Sequence, residues 1–157
     1  MKNKIWKTFW SGLIFLSGGF LSGFLALVFS ILLQPLFPSP VFLLVLAEEL
    51  SKFLFIFFLF GKTKLSSTSF LLNCVLLGLG FGGFELLLIF VNLQTTLQEI
   101  FFIAPIFLIH AITSLFLGLG VMRSKKGAFQ ASLLFLSAFL IHLIYNLTII
   151  NNFDLHF

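Results

Sequence analysis

Apolar residues run through this chain in long stretches separated by short polar or proline-rich links. Five stretches, approximately residues 9–33, 41–60, 70–92, 100–122 and 128–150, are long enough to cross a hydrocarbon core about 30 Å thick. The links at 34–40, 61–69, 93–99 and 123–127 leave no room for a soluble domain, a low-complexity tail or a separate linker. The pattern predicts an all-α, polytopic membrane protein: one compact bundle of about five transmembrane helices over residues 1–157. The first stretch follows Lys2, Lys4 and Lys7 as the core of a secretory signal would, but it is too long and lacks a small-residue cleavage site. An uncleaved signal anchor is expected.

The links also orient the bundle. If the stretches alternate in direction, Lys2, Lys4, Lys7, Lys62, Lys64, Arg123, Lys125 and Lys126 fall on one side, and the links on the other side carry no lysine or arginine. Lys and Arg accumulate in cytoplasmic loops, so the N-terminus is expected inside and, after five crossings, the C-terminus outside.

Composition excludes other classes. With 60% hydrophobic residues, 9% charged residues and a mean hydropathy of +1.19, the 157 residues carry more apolar surface than a soluble domain of this size can hide from water. The net charge of +4 does not indicate nucleic acid, because the basic residues are divided among links rather than gathered on one face. Cys74, the sole cysteine, excludes a disulfide within the chain and reads as a small buried hydrophobe. The 25 phenylalanines fill bundle and lipid surface.

Against this apolar background, Glu48, Glu49 and Lys52 stand in the middle of the second stretch. A charge at the centre of a transmembrane helix costs about 2.5–3.5 kcal/mol on insertion scales, so three of them require a compensating role. Glu85 lies in the third stretch, His110 in the fourth and His142 in the fifth, with Asn146 one turn beyond His142. At about 1.5 Å of rise per residue, His110 falls near the midplane, and Glu48, Glu49, Glu85 and His142 fall roughly 2 to 8 Å outside it. Four helices thus bring polar groups to similar depth, which predicts one shared polar cavity. Glu48 and Lys52, Glu49 and Lys52, and His142 and Asn146 are each spaced to share a helix face. A purely structural ion pair would account for one glutamate and the lysine. The second glutamate is an excess carboxylate, able to hold or exchange a proton. Gly78, Gly80, Gly82 and Gly83 precede Glu85, and Gly118 and Gly120 follow His110. Such small-residue faces let helices approach closely, and Gly12, Gly18, Gly19 and Gly23 give the first stretch the same property.

These residues form an ordered set of motifs. Glu48-Glu49-Leu50-Ser51-Lys52 reads EExxK, Phe81 to Glu85 reads FxxxE, His110 to Gly118 reads HxxxxxxxG, and His142 to Asn146 reads HxxxN. In order, and each in its own stretch, they resemble the PrsW family of intramembrane proteases, distant relatives of the type II CAAX prenyl proteases and of a multispanning gamma-secretase subunit. The resemblance covers residues 47–146. Lysine three after the second glutamate, where the CAAX enzymes carry arginine four after, and Glu85, where they carry histidine, favour PrsW.

The resemblance implies peptide-bond hydrolysis in a multi-pass protein of a bacterial-type plasma membrane. Its substrates would be membrane-anchored proteins or peptides, with anti-sigma factors as the family's associated target, cut on the outer side. Amide hydrolysis in a bilayer requires a localised water, a base and donors for the developing oxyanion. Glu48 and Glu85 are the candidates to position and deprotonate water, with Glu49 and Lys52 tuning their charge. By analogy with the CAAX enzymes, His142 and Asn146 would donate to the oxyanion, and His110 would orient the water or donate. Phe81 and Gly118 are supporting positions. No serine or cysteine has a base at recognisable spacing, which disfavours covalent catalysis. No cofactor is expected. A divalent metal such as zinc is the alternative, with Glu48, Glu85, His110 and His142 as ligands, although no HExxH occurs and Lys52 would oppose a cation. Two other classes need the same residues: a proton-coupled transporter or channel, and a non-catalytic scaffold that binds transmembrane helices. The sequon Asn146-Leu147-Thr148 lies within the last stretch and carries no weight.

Overall fold

The computed structural model describes residues 2–33, 40–92, 97–124 and 127–153. Its elements are α-helices: α1 Lys2–Leu33, α2 Pro40–Lys62, α3 Ser67–Asn92, α4 Leu97–Arg123 and α5 Ala128–Phe153. α1 begins at Lys2, so the basic N-terminal segment continues the helix instead of preceding it. Lys125 and Lys126, counted above on the basic side, lie outside the described residues.

Local chemistry sets the helix ends. Pro40 opens α2, where its missing N–H would have had no intrahelical partner. α3 starts after Ser66, whose Oγ accepts the Ser69 N–H at 3.3 Å while its carbonyl accepts the Phe70 N–H at 2.9 Å, as an N-cap does. α4 turns into α5 through Gly127, whose φ of 154° a side chain would strain and whose N–H donates to the Ser124 carbonyl at 3.2 Å. Pro105 lies inside α4 with its ring exposed.

Four helices contain segments long and apolar enough to cross a membrane: Trp6–Leu33, Ser67–Val91, Pro105–Arg123 and Ala128–Ile149. The remaining expected span forms α2, whose 23 residues extend about 34 Å at 1.5 Å per residue. Glu48, Glu49 and Lys52 set it apart from the other four.

α1, α3, α4 and α5 pack successively side by side, and α2 lies against α1, α4 and α5. Gly12 faces Asn73 and Leu76 while Gly23 faces Phe84, so α1 and α3 run parallel. Gly118 faces Cys74 while Gly82 faces Phe107, so α3 and α4 run antiparallel. Three glycines bring backbone onto backbone: a Cβ at Gly19 would stand 1.9 Å from the Leu77 carbonyl oxygen, one at Gly80 2.1 Å from that of Leu16, and one at Gly78 2.2 Å from that of His110. Asn73 Nδ2 also ties α3 to α1 by donating to Ser11 Oγ at 2.6 Å. Phe15, Ile56, Phe70, Cys74, Leu77, Leu117, Val121 and Ala138 form an apolar core toward the end where α2 finishes and α3 begins. The next layer along the bundle is polar.

Candidate functional site

Lys52 is the hub of that layer. Its fully buried ammonium has three N–H bonds to place. One is donated to Glu49 Oε1 on the preceding turn, one to Thr113 Oγ1 at 2.8 Å, and the third meets His110 Nδ1 at 3.2 Å. The Phe81 ring lies 5.0 Å from Nζ, adding a cation–π contact.

From this hub a chain of acids and bases extends both ways. Glu49 Oε1 accepts the His142 Nδ1–H at 2.6 Å, and His142 Nε2 lies 3.3 Å from Glu48 Oε2. On the other side, His110 Nε2 is hydrogen-bonded to Glu85 Oε2. The two imidazoles meet edge-on with centroids 4.8 Å apart, and Phe81 packs against the His110 ring at 4.6 Å. The order in space is Glu85, His110, Lys52, Glu49, His142, Glu48, drawn from α2, α3, α4 and α5. Ser51 stays out of the chain because its hydroxyl donates to the Glu48 carbonyl within α2.

Burial grades the acids. Glu49 is fully buried and Glu48 nearly so, whereas the Glu85 side chain is 27% exposed. Among the described residues, Glu48 Oε2, Glu49 Oε2, Ser114 Oγ and the Tyr145 hydroxyl are buried without a hydrogen-bond partner. An unsatisfied buried polar atom costs about 1–3 kcal/mol, and two of these four, Glu48 Oε2 and Glu49 Oε2, belong to acids of the chain, open to a polar reactant.

The expected residues are therefore largely brought together: Glu48, Glu49, Lys52, Phe81, Glu85, His110 and His142 are linked by successive contacts. Spacing left two partners open to Lys52. The ion pair forms with Glu49, three residues back, while Glu48 turns toward His142. Asn146 is half-buried one turn beyond His142, and its side chain makes no hydrogen bond with the described residues. Gly118 does not reach the polar layer. It packs on Cys74, where a Cβ would stand 2.6 Å from Sγ, and so serves α3–α4 contact.

For a metal, the ligand atoms that converge are not those of Glu48, Glu85, His110 and His142. They come from Glu49, His110 and His142, all within 4.8 Å of one another. Thr113, which binds Lys52, and Tyr145, whose buried hydroxyl has no hydrogen-bond partner among the described residues, were not singled out by the sequence. Thr113 was discoverable, since it follows His110 by three residues on one helix face. Hydroxyls are common in transmembrane helices, and nothing local distinguishes Tyr145. Comparison with family models, with curated proteins and with solved structures finds no match to this chain, so the family resemblance rests on its motifs alone.

Proposed function

We propose that this protein is a PrsW-like intramembrane peptidase that hydrolyses a membrane-anchored protein or peptide with water activated by glutamate. The observation that carries the reading is the buried chain of three carboxylates, two imidazoles and one ammonium, contributed by four helices and partly exposed at Glu85. So many ionisable groups in an apolar bundle are expensive unless they act.

Glu48 and Glu85 hold the nucleophilic water. A proton taken by Glu48 has His142 Nε2 as its neighbour at 3.3 Å, and the resulting imidazolium is paired with Glu49. From there the proton returns to the leaving amine as the C–N bond breaks. The Asn146 amide, one turn away, supplies an N–H for the oxyanion. α2 is the second of five crossings in this reading. Lys7, Lys62, Lys64 and Arg123 lie at the cytoplasmic end, and the end bearing Glu85 opens outward.

The same chain of donors and acceptors suits proton translocation, so one experiment addresses both. The purified protein is reconstituted in liposomes with a membrane-anchored test peptide, beside Glu48→Gln, Glu85→Gln and His142→Ala. Wild type is expected to cleave, and each variant to lose at least about 100-fold in rate. An intact peptide across a range of anchored substrates, together with a proton flux abolished by the same variants, overturns the peptidase reading in favour of a transporter.

A further inference from the structure

The metal-ligand convergence and the lysine occupy the same place. Glu49, His110 and His142 present ligand atoms within 4.8 Å of one another, as a divalent ion would need. Into that convergence comes Lys52 Nζ, bonded to Glu49 Oε1 and 3.2 Å from His110 Nδ1, with Glu49 Oε1 also bonded to His142 Nδ1. We infer that the Lys52 ammonium is the resident cation of this site, standing where a metal would stand, and that it sets the protonation pattern of His110.

The pattern follows from counting hydrogens. An ammonium donates and never accepts, so the His110 Nδ1 that faces Lys52 presents its lone pair. A neutral imidazole accepting at Nδ1 carries its hydrogen on Nε2, and Nε2 faces the Glu85 carboxylate. His110 is thereby fixed as a donor to Glu85 and cannot serve as a base at Nδ1. Lys52 acts through His110 and is a positioning residue. Thr113 Oγ1 takes the remaining ammonium hydrogen and passes its own to the His110 carbonyl at 3.4 Å, so it braces the hub to α4.

Metal binding conflicts with this arrangement in two ways. A dication placed among these ligands would meet the ammonium at a distance where like charges repel strongly. It would also need the His110 Nδ1 lone pair already committed to Lys52, leaving of the Glu49 carboxylate only Oε2 without a partner among the described residues. The cation role is instead built into the chain. For the peptidase reading, on which the functional meaning rests, the consequence is a water handled by carboxylates rather than by a Lewis acid. The cation assignment itself stands on geometry and is tested without reference to cleavage.

Two measurements on the full chain in detergent micelles decide it. With nitrogen-15-labelled histidine, the His110 signals, assigned by their loss in His110→Gln, should report Nδ1 without hydrogen and Nε2 with hydrogen. Lys52→Met, similar in length but without the donor, should shift that tautomer balance. In a Co2+ titration followed by visible absorption, wild type and Lys52→Met should take up none at this site. Lys52→Ala, which vacates the position, should gain one equivalent, lost again in Lys52→Ala with Glu49→Gln. A hydrogen on His110 Nδ1 in wild type overturns the inference. So does Co2+ uptake by wild type that depends on Glu49, or a folded Lys52→Ala that binds none. Should Lys52→Ala fail to fold, the wild-type tautomer and the wild-type Co2+ titration remain decisive. Cleavage without these signatures would refute the cation role and leave the peptidase reading intact.

Discussion

Adjacent glutamates in α2 hold different positions despite identical chemistry. Glu49 is fully enclosed and binds Lys52 and His142 through a single oxygen, whereas Glu48 faces His142 with an oxygen that has no hydrogen-bond partner. Their neutral isosteres should separate structure from chemistry. Glu49→Gln leaves a buried ammonium short of its counter-charge and is expected to destabilise the fold by about 3–5 kcal/mol. Glu48→Gln removes no made hydrogen bond and should change stability by no more than about 1 kcal/mol while still abolishing cleavage. Thermal unfolding in detergent alongside the liposome assay checks both, and equal destabilisation would refute the division of roles. Thr113 belongs to the same scale. Thr113→Val leaves one Lys52 N–H unbonded in a dry site, with an expected loss of about 1–3 kcal/mol in the same unfolding measurement.

Among the helices, α3 is the element that brings the site into register. One of its faces meets α1 at Gly80 and another meets α4 at Gly78, both by backbone contact. The His110 carbonyl against which Gly78 packs belongs to the residue whose ring meets Glu85, so helix spacing and site geometry are one quantity. Gly78→Ala must push α4 outward, with an expected cost of about 1–3 kcal/mol from overpacking and a matching loss of cleavage. Gly83→Ala is the control, because its Cβ would meet only the Phe107 ring at 3.9 Å, an ordinary contact. If unfolding and activity show the two variants to be equal, the tight α3–α4 approach is not what aligns the pair.

Across the whole molecule, outward faces are apolar: Phe57, Phe58, Leu72, Leu108, Phe129 and Ile144 are all well exposed, as lipid-facing positions are. The proposed orientation can be read from chemical access. A polar thiol reagent would not reach a cysteine replacing the enclosed Glu49; the most exposed acid of the chain is Glu85. In sealed, oriented vesicles, Glu85→Cys should be labelled from the outer side and Lys64→Cys from the cytoplasmic side. Native Cys74, fully buried, contributes little background. The opposite labelling of the two sites would reverse the assigned topology.

What the sequence determined by itself is whatever depends on composition and linear spacing. Long apolar stretches must become helices where backbone groups cannot bond to water, so the helix number and approximate bounds of α1 to α5 were legible. So were the polar residues that had to meet, since Glu48, Glu49, Lys52, Glu85, His110 and His142 had no other way to escape an apolar surrounding. Which of them bond to which was not legible. Helical spacing permits Lys52 either glutamate, and only the packing of α5 sets His142 against both, with Nδ1 on the Glu49 oxygen that also binds Lys52 and Nε2 facing Glu48. The role of Thr113, and the meeting of lysine and metal-type ligands at one point, likewise depend on the rotation and offset of helices distant in sequence. Those are decided by how glycine faces and side-chain volumes pack in three dimensions, a property that no single stretch carries.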